Sequence, residues 1–453
     1  MSTSAATSAT PAALPFRLPS PRSSRVDVLI VAGEHSGDEH AARMVRDLLA
    51  RDGSLAVCAL GGPKLAEAGA QLLHDMTATS VIGLVEVLKH FSFFKTLFNE
   101  ILRWVAAHKP RAVCFIDYPG MNLRLANELR KRGLSVRGGG AVRTLYYISP
   151  QIWAWKARRR FAMARDLDAM AVIFPFEPDC YADTALRGKV EFVGHPFVAD
   201  GYDAPVRHDA NGPILLLPGS RKQAVSRIFP AMLAGYERYC SGKSGTGCQP
   251  VDGAAAKVAR AASPCSEKTH GQAAHATTQT HGLAARATQP RRAIVLYPSD
   301  EVLSVLRTFS LPDGVELRRT GADTGASTSA NANSAVAAAA VLTSSGTMSM
   351  HCALAGIPGA VVYRINPITY IFGRLLVKVP YIGIANLLLK EPMYPEHIQG
   401  AATPGALAAQ LRDCLENPAR LAHTAECAQK LRAVLHQPTN GTAADWLARQ
   451  LAA

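Results

Sequence analysis

Two junctions in the second half of the chain carry the residue types that hold phosphate. An apolar run, 336–342, breaks into Thr343-Ser344-Ser345-Gly346-Thr347 and then opens a helix-like segment, 348–355, closed by Gly356, Ile357 and Pro358. Upstream, the apolar run 214–217 ends in Pro218-Gly219-Ser220-Arg221, which adds a guanidinium. A strand that turns through small residues into a helix leaves backbone N–H groups and the positive end of the helix dipole open to an anion. Two such cradles suit a nucleotide diphosphate, with Gly219, Ser220, Arg221, Ser345, Gly346 and Thr347 as candidate ligands.

The first half supplies acids and aromatics. Asp117 follows the apolar run 112–116 and precedes Tyr118-Pro119-Gly120-Met121-Asn122. Ligands of open α/β sheets sit outside the carboxyl ends of the strands, where such a carboxylate can take the proton of an attacking hydroxyl. An aspartate that only turns the loop has the same signature. The run 28–32 ends in Gly33-Glu34-His35-Ser36-Gly37-Asp38. Its glycines permit close backbone approach and its acids suit sugar hydroxyls better than phosphate, or else they stabilise the turn. The stretch Tyr146-Tyr147-Ile148-Ser149-Pro150-Gln151-Ile152-Trp153-Ala154-Trp155 precedes Lys156, Arg158, Arg159 and Arg160. Rings suit apolar sugar faces and the cations suit phosphate, although packing between domains explains the aromatics equally well. Phe192-Val193-Gly194-His195-Pro196 reads as a tight turn whose histidine is either a donor to a ligand or a structural residue.

Short apolar runs at 26–32, 56–60, 112–116, 144–148, 169–174 and 190–193 alternate with helix-length segments such as 40–50 and 123–131. That alternation predicts an α/β first domain, 26–199, on a largely parallel sheet. Residues 200–212 are polar and turn-rich and read as a linker. The second domain, 213–453, repeats the style with runs at 214–217, 293–297, 315–318, 336–342 and 359–363. Residues 241–292 are rich in Gly, Ala, Thr, Gln and His, too poor in large apolar residues to order themselves, and read as a low-complexity insertion. Its Gly242-Lys243-Ser244 is no P-loop, because Glu237 stands in place of the first glycine. Residues 1–25, rich in Ser, Ala and Pro, read as a disordered extension. Between 86 and 106, Val87, Phe91, Phe94, Phe98, Ile101 and Val105 form a helical stripe widened by further apolar residues, either a thick core helix or a surface that meets lipid.

With 453 residues and 48% hydrophobic content, the chain has material for two cores. No apolar stretch reaches the roughly 18–20 residues of a membrane span, so a soluble or peripheral protein is expected. The nine scattered cysteines are never spaced C-x-x-C, which argues against a disulfide frame or zinc site. Of the net charge of +14, +3 lies in 1–25 and +5 in 241–292, leaving +6 without a dominant basic run. Such a balance fits an anionic small ligand or membrane surface better than nucleic acid.

The strings V-A-G-E-H-S-G-D, V-I-G-L-V-E-V-L, I-D-Y-P-G-M-N-L, Y-I-S-P-Q-I-W-A-W, P-F-E, F-V-G-H-P, L-L-P-G-S-R and S-S-G-T, in that order over about 26–399, resemble the lipid-A-disaccharide synthase family of bacterial glycosyltransferases. The resemblance implies a GT-B fold of two Rossmann-like domains around a cleft, with the sugar nucleotide held by the second and the acceptor by the first. It implies transfer from UDP-2,3-diacylglucosamine to 2,3-diacylglucosamine 1-phosphate, without metal or cofactor, at the cytoplasmic face of the inner membrane. Asp117 matches the family's candidate general base and Arg221 an arginine that binds the anionic ligand or leaving group. Gly33, Glu34, Ser36, Gly37, Asp38, Asn122, Ser149, Trp153 and His195 join the two cradles as candidate substrate contacts. The chain departs from the pattern at Gly120, Ala224 and His351, where the family carries acids, and at Ala385, where it carries proline, but keeps Pro395-Glu396-His397-Ile398-Gln399. Another inverting GT-B transferase with a lipid acceptor, or a weakly active nucleotide- or lipid-binding relative, are the alternatives.

Overall fold

In a computed structural model, the alternating pattern folds into two parallel sheets, described over residues 16–77, 91–199, 201–242, 291–320, 335–367, 370 and 379–453. The first contains β1 (Val28–Ala32), β2 (Val57–Gly61), β3 (Gln71–Asp75), β4 (Ala112–Ile116), β5 (Arg143–Tyr147), β6 (Ala169–Val172) and β7 (Val190–Phe192), ordered β3-β2-β1-β4-β5-β6-β7. β8 (Val206–His208), which lies between the bodies in sequence, pairs with β12 (Val336–Ala338) as a separate two-stranded sheet. The second sheet joins β9 (Ile214–Leu217), β10 (Ala293–Tyr297), β11 (Val315–Arg319), β13 (Ala340–Thr343), β14 (Gly359–Tyr363) and β15 (Glu396–Ile398) in the order β11-β10-β9-β13-β14-β15. The described helices are α1 (His35–Arg51), α2 (Pro63–Glu67), α3 (Phe91–His108), α4 (Pro119–Lys131), α5 (Arg159–Asp166), α6 (Lys222–Cys240), α7 (Asp300–Leu306), α8 (Thr347–Leu354), α9 (Ile384–Leu389), α10 (Pro404–Glu416), α11 (Pro418–Leu435) and α12 (Ala443–Ala452).

The central strands are apolar on both faces because helices cover both. Leu29, Val31, Val113 and Phe115 pack with Leu97, Ile101, Leu102, Trp104 and Val105 of α3, while Val28, Ile30 and Ala32 turn to Ala41, Val45 and Leu48 of α1. The described part of the aromatic stripe is therefore a core helix. Its upstream residues, 78–90, lie outside the described residues, as does most of the insertion 241–292.

Three sequence expectations change. Residues 16–25 do not form a loose extension: Leu18 is buried, its N–H donates to Glu100 (2.9 Å), and Trp104 Nε1 donates to the Pro19 carbonyl (2.9 Å). The run 336–342 is two strands, because β12 pairs with β8 inside the supposed linker whereas β13 enters the second sheet beside β9. The second domain does not hold its own C-terminus. Helix α12 packs on α1 and β6 of the first body, burying Trp446, Leu447 and Leu451. Arg143 donates to the Gln450 carbonyl (2.6 Å) and side chain (2.7 Å), Arg449 pairs with Glu191 (2.7 Å), Arg51 pairs with Asp445, and Arg111 donates to the Leu451 carbonyl. Removing the fully buried indole in Trp446→Ala is expected to cost about 3–5 kcal/mol, read as a lower denaturation midpoint in urea.

Candidate active site

Both sheets reverse strand order at a point where a parallel α/β sheet opens a crevice, β1/β4 in the first and β9/β13 in the second. The register pairs Ala32 with Ile116, so the turns at 33–38 and 117–118 emerge side by side, and pairs Leu217 with Thr343, which does the same for 218–221 and 344–347. Ser344 N–H donates to the Leu217 carbonyl (2.8 Å). Gly219, at φ +114°, sits where an added Cβ would lie 3.2 Å from Ser344 Oγ. The two phosphate-type cradles are thus neighbours. Helices α6 and α8 both begin there, with Arg221 and Gly346 at their N-caps and no side-chain cap on either, which leaves the N–H groups of their first two residues available to an anion, the third donating back to the N-cap carbonyl.

The bodies meet at these turns. Arg221 Nη2 lies 3.1 Å from Glu34 Oε1, an exposed pair spanning the two halves. Beside it, Asp117 (φ +42°) and Tyr118 (φ +49°) hold left-handed backbone at the end of β4, and Ile148 (φ +65°) does so after β5. Such conformations cost on the order of 1–3 kcal/mol each and persist because the surroundings over-determine them. Asn122 is the main clamp: its amide donates to the carbonyls of Asp117 (2.8 Å), Ile116 (3.2 Å) and Val31 (3.4 Å). Tyr146 adds a 2.5 Å hydrogen bond to the Asp117 carbonyl. Asn122 is consequently a positioning residue. Gly33 is required for space, since any Cβ there would overlap the Tyr118 ring.

Burial raises the Asp117 carboxyl to about 6, Glu34 adds to the rise and Arg221 opposes it. Asp117 thus behaves as a carboxylate poised near neutrality, in electrostatic reach of a cation from the other body, as general-base work requires. The sign gives a test. Glu34→Gln removes a charge that raises Asp117, so the acid limb of any kcat/KM profile governed by Asp117 is expected to move to lower pH.

A cavity of about 280 Å³ adjoins Asp117, lined on the first body by Ser36, His40, Ser149, Trp155 and His195, and on the second by Thr347, Met350 and Ile384 among others. Ser149 Oγ is 2.7 Å from Tyr181 OH. His195 Nδ1 accepts from Phe197 N–H (3.2 Å), which leaves the Nε2 tautomer as donor. Burial and the neighbouring His40 and His351 hold its pKa down to about 3, so it is neutral at pH 7. A second hollow of about 360 Å³, lined by residues such as Gly212, Arg292, Glu316 and Val336, holds none of the candidate residues.

Several candidates have other employment. The buried Asp38 carboxylate accepts from the backbone N–H groups of Gly62 (2.7 Å), Lys64 (3.1 Å) and Leu65 (3.3 Å), capping α2 instead of facing the cavity. Gly37 packs in α1 against Ala32 and Ile116. Trp153 sits edge-on to Phe174 and Phe176, and Trp155 is the indole that lines the cavity. Ser345 and Gly346 stay at the cradle, while Ser220 is exposed at its edge.

Three residues gained roles that single-position reading did not show. Glu177 is buried, accepts from Phe174 N–H (3.1 Å) and is pushed up to about 8 by burial, a neutral prop under the cavity wall at pH 7. Glu396 accepts from Ile382 N–H (2.8 Å), Gly383 N–H (2.8 Å) and Asn386 (2.9 Å), and Gln399 exchanges two hydrogen bonds with the Ile365 backbone. The P-E-x-x-Q string therefore shapes the loop that delivers Ile384. Among the described residues no three His, Cys, Asp or Glu side chains gather as metal ligands do.

Two Rossmann-like bodies with their switch points facing one cleft define a GT-B glycosyltransferase architecture. A crystal structure titled as the glycotransferase of kitacinnamycin superposes with a TM-score of 0.51 at 14% identity, covering 94% of this chain and all of that one. A putative UDP-N-acetylglucosamine 2-epimerase from Listeria monocytogenes does so at 0.50 and 10% identity, covering 93% and 94%, so the likeness speaks for fold alone. Sequence resolves the matter further. The lipid-A-disaccharide synthetase family model matches residues 28–238 and 321–451, and the chain belongs to that family. Lipid-A-disaccharide synthase of Geobacter sulfurreducens is 31% identical over 86% of this chain and 88% of its own length, and lipid-A-disaccharide synthase 1 of Legionella pneumophila is 32% identical over 84% and 85%.

Proposed function

We propose that the protein joins UDP-2,3-diacylglucosamine to 2,3-diacylglucosamine 1-phosphate, forming the β-1,6 disaccharide 1-phosphate of lipid A and releasing UDP. The observation that carries this reading is the convergence of Asp117 from one body with Arg221 and the uncapped α6 and α8 termini from the other. Asp117 takes the proton of the acceptor hydroxyl as its oxygen attacks the anomeric carbon. Arg221 and the backbone N–H groups at 219–221 and 345–347 receive the negative charge that grows on the departing diphosphate. Arg221 has to exchange Glu34 for that diphosphate, which couples donor arrival to release of the cross-body ion pair.

The donor belongs in the second body, at the cradles, and the acceptor in the first, at the cavity beside Asp117. Both substrates carry acyl chains, which supports work at the membrane surface; no described helix is long and apolar enough to cross a membrane. Purified protein given both substrates is expected to release UDP and form disaccharide in equal amounts. UDP release only with a different acceptor would replace the proposed substrate, and binding without turnover would make the chain a binding relative.

A further inference from the structure

An anionic acceptor faces a difficulty in this cavity. Asp117 already places negative charge there, and a phosphate monoester brings close to two more at neutral pH. Arg221 cannot neutralise it, because that guanidinium holds Glu34 and serves the donor side. His40 and His195 line the cavity but are held neutral by burial, at about 4 and about 3. Arg159 is the one Lys or Arg side chain among the residues lining the cavity.

Arg159 is set apart by lining the cavity without a carboxylate partner; among the described residues Lys156 and Arg158 also lack one but do not line it. Arg160 is pinned by Asp183 (2.7 Å) and Arg165 by Asp166 (2.7 Å), so their charges are compensated within the first body. Arg159 has no carboxylate partner among the described residues. Its guanidinium carbon lies 5.2 Å from the centre of the Trp155 ring, and Lys156 Nζ lies 4.2 Å from the same ring. Trp155 therefore gathers two cations at the rim, and it lines the cavity with Asp117. The Arg159 charge also reaches Tyr146, which hydrogen-bonds the Asp117 carbonyl.

We propose that Arg159, assisted by Lys156 on the Trp155 indole, forms the subsite for the phosphate of the acceptor and makes the enzyme selective for phosphorylated acceptors. A guanidinium matches phosphate oxygens in a two-pronged contact that a lysine or glutamine cannot reproduce. The subsite also gives the acceptor a fixed end, so that the hydroxyl at its other end meets Asp117. The inference rests on the proposed reaction, with its acceptor placed in the first body.

The test compares wild type with Arg159→Gln and Arg159→Lys, using the diacylglucosamine 1-phosphate acceptor and its dephosphorylated counterpart. Losing charge-assisted hydrogen bonds is expected to raise KM for the phosphorylated acceptor about 30-fold in Arg159→Gln, with the donor KM unchanged. Arg159→Lys should recover part of the loss, and all three proteins should use the dephosphorylated acceptor equally poorly. A rise in donor KM, or equal losses with both acceptors, overturns the subsite. Direct binding of the phosphorylated acceptor to wild type and Arg159→Gln separates this inference from the reaction itself. Equal affinities sink the subsite even if disaccharide forms, whereas absence of disaccharide from wild type with selective binding intact sinks only the reaction. Circular dichroism confirms that each variant is folded.

Discussion

Asp117→Asn is expected to lower kcat by about 10³-fold while leaving donor affinity nearly unchanged, because a positioned general base contributes roughly 10²–10⁴. The amide keeps the shape and the strained turn, whose clamps from Asn122 and Tyr146 act on backbone carbonyls and not on the carboxylate. In wild type, the rate should climb with pH through about 6 as the carboxyl ionises, and in the variant that limb should vanish. Stability moves the other way. Asp117 has a native pKa raised from 3.8 to about 6, so its contribution is fully present below the unfolded value and is lost as pH rises through about 6. Holding the ionised form in place costs on the order of 3 kcal/mol above pH 7. Asp117→Asn should therefore be more stable than wild type at pH 8 and little different at pH 4, in thermal melts at the two pH values. A variant that lost activity and stability together at pH 8 would mark the carboxylate as structural.

Arg221→Ala is expected to reduce kcat/KM by about 100-fold, the scale on which removal of one preorganised charge-stabilising donor is felt. The Arg221 and Glu34 side chains are 74% and 39% exposed, so breaking their pair should change stability by no more than about 1 kcal/mol. Arg221 is also the charge that lowers the Asp117 pKa, and its removal leaves Glu34 unopposed. The acid limb should then shift to higher pH, opposite to its movement in Glu34→Gln. A pH profile measured on both variants distinguishes an arginine that stabilises the leaving group from one that merely ties the bodies together. If Arg221→Ala unfolded the protein, the tie would be its main contribution.

Where one element alone decides a position, the sequence was readable. The five apolar residues of β4 and the four of β9 place Asp117 and Pro218 at strand ends, and the parallel architecture brings those ends together. Strand β3, Gln-Leu-Leu-His-Asp, escaped because an edge strand half in water lacks the apolar continuity of a central one. Strands β8 and β12 exist only by pairing across 130 residues, which no local pattern records. Asp38 and Trp153 misled for a related reason: each belongs to a motif at the site, but the backbone of 62–65 and the rings of Phe174 and Phe176 claim them. His351, which breaks the family pattern, faces the aromatic rings of Phe197 and Tyr202, and its Nε2 lies 3.3 Å from Tyr202 OH. A side chain committed to joining the bodies is a different device from an acid on α8, and only the assembled cleft reveals it.

Helix α12 has a consequence for how the molecule comes into being. The first body is translated first, and domains made on the ribosome ordinarily fold in order of emergence. Here one face of the first sheet keeps an open flank until Trp446 and Leu451, about 250 residues downstream of β7, have left the exit tunnel. The two halves mature together, and damage to the message at the codons of α12 is felt in the half that was encoded earlier.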